Sequence, residues 1–175
     1  MTGLIIIRNS EKWKNWLTIQ DEKLCIRCKE KHGKLYATDE KVDPSPPLHW
    51  LCRCYIERLK SIFAGEATEK GTEGADWYLK YNGKLPEYYL SRNDASKLGW
   101  NPNKNTLDKV ASNHMIFGGR YFNKNGHLPS DKGRIWYEAD INYISGKRNS
   151  DRILFSNDGL IFVTYDHYKT FVEVR

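Results

Sequence analysis

The four cysteines of the chain form two close pairs in its first third, Cys25-x-x-Cys28 and Cys52-x-Cys54. His49 lies three residues before the second pair. Two short cysteine and histidine segments with a longer stretch between them are typical of a protein that holds one tetrahedral zinc ion. Four cysteines can equally form two disulfides, as in many exported domains. In either case we expect a small module in this part of the chain. Its hydrophobic core alone would be too small to stabilise it without such a cross-link.

We predict zinc rather than disulfides, because the sequence gives no sign of a secretory signal. The apolar run Leu4–Ile7 is too short for a signal-peptide core, and no small-residue cleavage site follows it. Disulfides or free thiols remain the alternative. A tetrahedral site needs four ligands, so the sequence offers one donor more than it needs: Cys25, Cys28, His49, Cys52 and Cys54.

The segment around these donors resembles the cysteine/histidine end of phage head-morphogenesis proteins of the Mu F-like minor capsid type. The resemblance covers about residues 13–56 and rests on Trp16-Leu17-Thr18, Gly33-Lys34, Pro46-Pro47-Leu48-His49 and the cysteine pairs. It implies a docking or stabilising module with a structural zinc ion. It also implies phage capsid or portal proteins as partners.

Composition excludes some classes of protein and weakly favours others. The 175 residues are 13% aromatic, which argues against intrinsic disorder, and no apolar run approaches the length of a membrane helix. We therefore expect no membrane partner. The net charge of +6 favours a polyanionic partner only mildly.

The first half of the chain divides at a segment rich in Gly, Glu, Lys and Thr. We predict a module over residues 1–63, a linker over 64–73 and a second domain over 74–175. In the module, Trp13, Trp16 and Leu17 fit a helix or a strand almost equally well. Apolar residues at helical spacing predict a helix over Tyr55–Phe63.

The second domain begins with helical patterns and continues with strand patterns. We predict helices over Ala75–Tyr81, from a cap at Ser91 to a stop at Gly99, and from Thr106 to Ala111. Strands are predicted over five short runs: Met115–Phe122, Ile135–Asp140, Arg152–Ser156, Leu160–Tyr165 and Phe171–Val174. Asn157-Asp158-Gly159 predicts a hairpin. The predicted fold class is α+β, with short N-terminal helices packed on an antiparallel sheet of about five strands, preceded by the zinc-knuckle module.

Polar residues gather near the ends of the last strands. Glu138 and His167 could form an acid/base pair beside the guanidinium groups of Arg148 and Arg152. The alternative is that these residues are exposed strand positions and a charged turn. Sequence patterns alone do not bring Glu138 and His167 together in space.

Residues of about 74–175 closely resemble barnase-like microbial ribonucleases. The matching segments are Lys84-Leu85-Pro86, Leu98-Gly99-Trp100, Trp136–Tyr143, Ser145–Leu154 and Asp166–Phe171. The resemblance implies the microbial ribonuclease fold. It also implies a metal-independent endoribonuclease that cleaves single-stranded RNA to a 2′,3′-cyclic phosphate.

The resemblance also implies a role for each residue of the candidate site. Glu138 matches the general base, His167 the general acid, and Arg148 and Arg152 the arginines that hold the phosphate. The expected substrate-binding residues are Arg92, Phe122, Asn123, Lys124 and Tyr168. Arg92 stands where the family usually has Lys, and the loop 122–126 is one residue shorter and lacks the glutamate that grips guanine. Guanine preference is therefore in doubt.

Together these features predict a ribonuclease toxin with an acidic barstar-like inhibitor or immunity protein as partner. Such a protein is expected to be cytoplasmic, virion-associated or delivered into a target cell, without a Sec signal. The alternative is a catalytically inactive module of a phage head protein that binds RNA or the virion.

Overall fold

The computed structural model describes residues 7–175, and within them nine strands form one continuous sheet in the order β2-β1-β3-β9-β8-β7-β6-β5-β4. Of the apolar run near the start, Leu4–Ile6 lie outside the described residues. The strands are β1 (Arg8–Thr18), β2 (Leu35–Ala37), β3 (Cys54–Ile62), β4 (Tyr89–Ser91), β5 (Met115–Tyr121), β6 (Trp136–Asp140), β7 (Arg152–Ser156), β8 (Ile161–Thr164) and β9 (Val172–Val174). The helices are α1 (Ile26–Lys29), α2 (Ala75–Asn82) and α3 (Arg92–Lys97), with 3-10 turns at Gly71–Glu73 and Leu107–Lys109.

The five predicted strands of the second domain are confirmed as β5–β9, which pair antiparallel with one another. The hairpin prediction is also confirmed, since Phe155 and Ile161 face each other across the Asn157-Asp158-Gly159 turn. The predicted sheet size of about five strands was wrong. The strand β4 adds to one edge by pairing parallel with β5, and β1–β3 extend the other edge.

The helix predicted over Tyr55–Phe63 was also wrong, because this segment is the strand β3. In the second half of β3, Arg58 and Lys60 are exposed whereas Leu59 and Ser61 are buried. Pairing with β1 on one side and with β9 on the other satisfies the backbone, and the alternation of faces outweighs the helical spacing.

The two helices of the second domain form as predicted. Helix α2 covers Ala75–Asn82, and α3 begins after Ser91, whose side chain accepts a hydrogen bond from the amide of Asp94 at 3.1 Å. Gly99, with φ of +93°, ends that segment. The third predicted helix is only the 3-10 turn Leu107–Lys109. Within the described residues, no helix has the length and apolar character needed to cross a membrane.

The sheet has a buried core on each of its faces: α2 packs on the first face, and side chains of β2 and β3 contribute to the second. On the first face Ile153 and Val163 pack with Leu79 of α2. On the second face the core combines two groups of buried residues: Leu35 and Leu59 from β2 and β3, and Trp136, Leu154 and Phe162 from β6–β8. Because side chains alternate along a strand, Glu138 lies on the same face as Trp136. The N-terminal module thus packs on the face that carries Glu138.

Residues 64–73, predicted as a linker, are packed against the rest of the chain. Ala64 and Ala67 are buried in the core of the first sheet face. The fully buried carboxylate of Asp76 accepts hydrogen bonds from the amides of Gly65 at 2.7 Å and Ala67 at 2.9 Å, and from the hydroxyl of Thr68 at 2.8 Å. The domain boundaries stay a prediction, but the joining segment is well packed.

Candidate active site

Glu138 sits in the middle of β6, opposite Gly119 of β5 and Leu154 of β7. The register of β5 shifts at Gly118, which brings that residue against the glutamate side chain. A Cβ at Gly118 would lie 2.8 Å from both Cγ and Oε1 of Glu138, so only glycine leaves room for this rotamer. The hydroxyl of Tyr168 donates a hydrogen bond to Glu138 Oε2 at 2.6 Å. The carboxylate is therefore held in one orientation.

Two arginines share one buried carboxylate next to Glu138. Arg148 donates to both oxygens of Asp140 at 2.5 Å, and the Nε of Arg152 lies 3.1 Å from Asp140 Oδ1. The side chain of Asp140 is only 1% exposed. Hydrogen bonds to Asp140 raise the pKa of Arg148, so that this guanidinium stays charged. The fork geometry fixes both cations before any substrate binds.

The loop that carries His167 follows β8 and is organised by Asp166. The carboxylate of Asp166 accepts hydrogen bonds from the hydroxyl groups of Thr164 at 2.9 Å and Thr170 at 2.6 Å, and from two backbone amides. Burial acts to raise the pKa of Asp166, but these donors hold it below its usual value. His167 and Tyr168 adopt φ of +58° and +68°, and His167 is exposed. The loop is rigid at its base and presents the imidazole to solvent.

Tyr168 connects the two predicted acid/base residues. Its ring centroid lies 4.9 Å from that of His167, while its hydroxyl binds Glu138. The ring of Tyr168 also stacks on Tyr121, with centroids 5.4 Å apart. Burial and the bond to Glu138 raise the pKa of Tyr168, which keeps the hydroxyl protonated as a donor. Glu138 and His167 thus both contact Tyr168, and Tyr168 and Tyr121 line both adjoining cavities.

The predicted substrate-binding residues lie around this cluster. Phe122 is 68% exposed, with the guanidinium of Arg120 5.3 Å from its ring centroid, and Lys124 is exposed beside it. Asn123 has a structural task, because its amide group exchanges two hydrogen bonds with the backbone of Leu128 at 2.8 and 3.1 Å.

Arg92 lies farther from the centre of the cluster, exposed in the first turn of α3. It follows Ser91 of β4, which faces Phe117 of β5, and Phe117 immediately precedes Gly118. This register places Arg92 at the same end of the sheet as the bulge beside Glu138.

Sequence reasoning missed Tyr121 as a site residue. Its position at the end of β5 fits a core aromatic residue equally well, and only the stacking on Tyr168 distinguishes it.

The predicted metal ligands also come together, around α1 and the start of β3. His49 Nε2 lies 3.2 Å from Cys25 Sγ and 3.3 Å from Cys28 Sγ, and Cys28 and Cys52 have sulfurs 3.7 Å apart. Cys54 joins Cys28 and Cys52 in a group whose ligand atoms lie within 4.8 Å of one another. Zinc bonds of about 2.0–2.3 Å in a tetrahedron place ligand atoms about 3.5–3.8 Å apart, so the cluster has the dimensions of a metal site.

The orientation of His49 supports the same interpretation. Its Nδ1 lies 2.8 Å from the carbonyl oxygen of Trp50, which accepts the proton of that nitrogen. The lone pair of Nε2 is then directed towards the cysteines. A second ring nitrogen bonded to a backbone carbonyl is the usual support of a metal-bound histidine. The cluster can hold a metal ion.

Comparison with known proteins extends the geometric result. A family model described as ribonuclease matches residues 72–175. The chain is 48% identical over 101 residues to a ribonuclease of Heyndrickxia coagulans, covering 58% of this chain and 92% of that protein. Ribonucleases of Bacillus intermedius and Bacillus pumilus are also 48% identical over 101 residues, and the match spans 62% of each. The resemblance of residues 13–56 to phage head proteins stays a prediction. From residue 72 onward, the chain belongs to the ribonuclease family and is an endoribonuclease.

Proposed function

We propose that the chain cleaves single-stranded RNA by transesterification, with Glu138 as general base and His167 as general acid. The observation that carries the proposal is the contact of both residues with Tyr168, beside two arginines anchored on Asp140. A base and an acid on opposite sides of one phosphodiester suit an in-line displacement at phosphorus.

In this reaction Glu138 takes the proton of the ribose 2′-hydroxyl, and the 2′-oxygen attacks the adjacent phosphorus. The bond between phosphorus and the 5′-oxygen of the next nucleotide breaks, and His167 gives its proton to that oxygen. Arg148 and Arg152 stabilise the negative charge that grows on the phosphorane oxygens. Because the nucleophile belongs to the substrate, positioning it removes much of the entropic barrier. We propose that no metal takes part.

The test is digestion of a defined single-stranded oligoribonucleotide, with mass analysis of both new ends. The expected products are a 2′,3′-cyclic phosphate and a free 5′-hydroxyl. A DNA oligonucleotide of the same sequence is the matched control, because it lacks the 2′-hydroxyl and should remain intact. Cleavage of the DNA, or a 5′-phosphate on the RNA product, would contradict the proposed mechanism. The same cleavage map measures base preference, which we propose is weak for guanine because loop 122–126 lacks a glutamate.

The toxin role and an acidic barstar-like inhibitor remain part of the proposal. The net charge of +6 and the exposed cationic residues around the cleft, among them Lys124 and Arg92, favour an acidic partner. From the two family resemblances we also propose where the protein acts: in the cytoplasm, on a virion or in a target cell. Capsid or portal proteins are the proposed partners of the N-terminal module.

We further propose that the cluster of Cys25, Cys28, His49, Cys52 and Cys54 binds one structural zinc ion through four of its five donors. The ligand spacing and the bond from His49 to the Trp50 carbonyl support this proposal. The ion would join α1, the loop before β3 and the start of β3, next to the small core of Trp16, Tyr36 and Val42.

Metal analysis tests the zinc proposal. Protein purified without chelator is expected to contain about one zinc ion per chain, and removal of the metal should lower the melting temperature because binding contributes to folding. Exchanging both Cys28 and Cys52 for serine leaves three of the five donors and should abolish stoichiometric zinc, whereas exchanging the exposed Ser45 for alanine should not. A metal-free protein with bridged cysteines would refute the proposal.

A further inference from the structure

A second cavity begins where His167 reaches solvent, and both parts of the chain form its walls. Its volume is about 790 Å³, within the range of ligand pockets. The nuclease part contributes residues from three segments: Tyr121, Asn125, His127, Asp166, His167, Tyr168 and Lys169. The N-terminal module contributes Gln20, Lys29 and His32. The proposed reaction uses only His167 and Tyr168 of this set.

The module is fixed to the catalytic loop at close range. Gly33, with φ of +81°, lies so near the loop that a Cβ there would be 1.9 Å from the carbonyl oxygen of Lys169. The amide of Leu35 donates to the carbonyl oxygen of His127 at 2.8 Å. Contacts this tight place the residues just before Gly33 beside His167 as a defined wall.

The lining of this cavity suits a polyanion with flat, stackable groups. Lys29 and Lys169 are exposed cations, and Tyr121 and Tyr168 offer aromatic rings. His32 Nδ1 accepts a hydrogen bond from the amide of Thr18 at 3.2 Å, which leaves its Nε2 as a donor. The one carboxylate in the wall, Asp166, already accepts four hydrogen bonds within its own loop.

We infer that the N-terminal module extends the substrate-binding surface of the nuclease, with Lys29 contacting a phosphate of the strand on the 3′ side of the scissile bond. The assignment to the 3′ side of the scissile bond rests on the proposed function. In that reaction the general acid faces the 5′-oxygen of the leaving nucleotide, and the cavity continues beyond His167. The module is thus part of the substrate-binding surface, and the enzyme reads a longer stretch of RNA than the catalytic cluster alone would cover.

The experiment compares kcat/KM for three oligoribonucleotides with one cleavable bond: the shortest that is cut, one lengthened on the 3′ side and one lengthened on the 5′ side. We expect kcat/KM to rise with 3′ length and to change less with 5′ length. In Lys29→Ala, the ratio of kcat/KM for the 3′-extended substrate to kcat/KM for the short substrate should fall about two- to fivefold. This is the contribution expected of one exposed ion pair. The salt dependence of binding should weaken by about 0.7 in the log–log slope, the value for one phosphate contact on a single strand.

Lys60→Ala is the matched control, because Lys60 is an exposed lysine of β3 and does not line the cavity. It should leave the ratio unchanged. The ratio also cancels any inactive fraction in the Lys29→Ala preparation, since both substrates are cut by the same molecules. An unchanged ratio in Lys29→Ala, or equal gains from 5′ and 3′ extension, would overturn the inference while cleavage itself persists. Failure to produce a cyclic phosphate from any of the three substrates would instead refute the proposed function.

Discussion

Alanine in place of His167 is expected to lower kcat by about 10²–10⁴-fold, the usual contribution of one general acid or base. The imidazole is exposed, and the loop around it is held by Asp166, so the fold should tolerate the change. Without the acid, the 5′-oxygen must leave unprotonated or take its proton from water. Single-turnover cleavage of a defined oligoribonucleotide measures the effect, and the melting temperature checks the fold.

Glu138→Gln should reduce kcat to a similar extent, because the amide keeps the size of the carboxylate but cannot accept the 2′-hydroxyl proton. Gly118 leaves space for a group of this shape, so the variant should fold. His114→Ala is the control: this histidine lies outside both cavities and should keep wild-type activity. If either His167→Ala or Glu138→Gln cleaves within twofold of the wild type, that residue has no acid/base role.

Alanine in place of Asp140 is expected to destabilise the fold by about 3–5 kcal/mol, the cost of breaking a buried ion pair from one side. Arg148 and Arg152 would both lose their carboxylate partner, and the side chain of Arg152 is only 8% exposed. Asp140→Asn tests the same point with nearly the same shape, since an amide cannot neutralise two guanidinium groups. Urea denaturation with a two-state analysis gives the free energy of unfolding.

The matched control is Asp158→Ala, which removes the bidentate carboxylate partner of Arg134. The side chain of Asp158 is 44% exposed against 1% for Asp140, and Asp131 stays 3.6 Å from Arg134, so its loss should cost less than the loss of Asp140. An equal loss of stability in the Asp140 and Asp158 variants would show that burial does not set the cost. It would also remove the reason to regard Asp140 as the anchor of the cationic pair.

The parts of the fold that follow from short-range chemistry could be predicted from the sequence. The cap at Ser91, the stop at Gly99 and the Asn157-Asp158-Gly159 turn depend on neighbouring residues only, and each forms as expected. The extent of the sheet depends on pairing between distant segments, which local patterns do not record. The strand β3 was therefore predicted as a helix, and the short strand β4 was not predicted.

The same distinction holds for the site. Resemblance to a family supplied Glu138, His167 and the arginine pair, and the structure gathers them around Tyr168 and Asp140. It could not supply Lys29, which we infer contacts the substrate, because the contact between the N-terminal module and the catalytic loop depends on packing outside the residues that resemble ribonucleases. The cluster of cysteines and His49 was predictable as a group from its spacing, since short loops bring such pairs together.

The three hydrogen bonds that Asp76 receives from Gly65, Ala67 and Thr68 set a limit on how this chain can be shortened. A truncated protein that starts at residue 74 would keep the buried carboxylate of Asp76 but lose all three hydrogen-bond donors. A negative charge would then remain in the interior without compensation. It would also expose the edge of β9 that now pairs with β3. An unpaired strand edge is a template for aggregation. The smallest autonomous nuclease that retains both features must start upstream of β3.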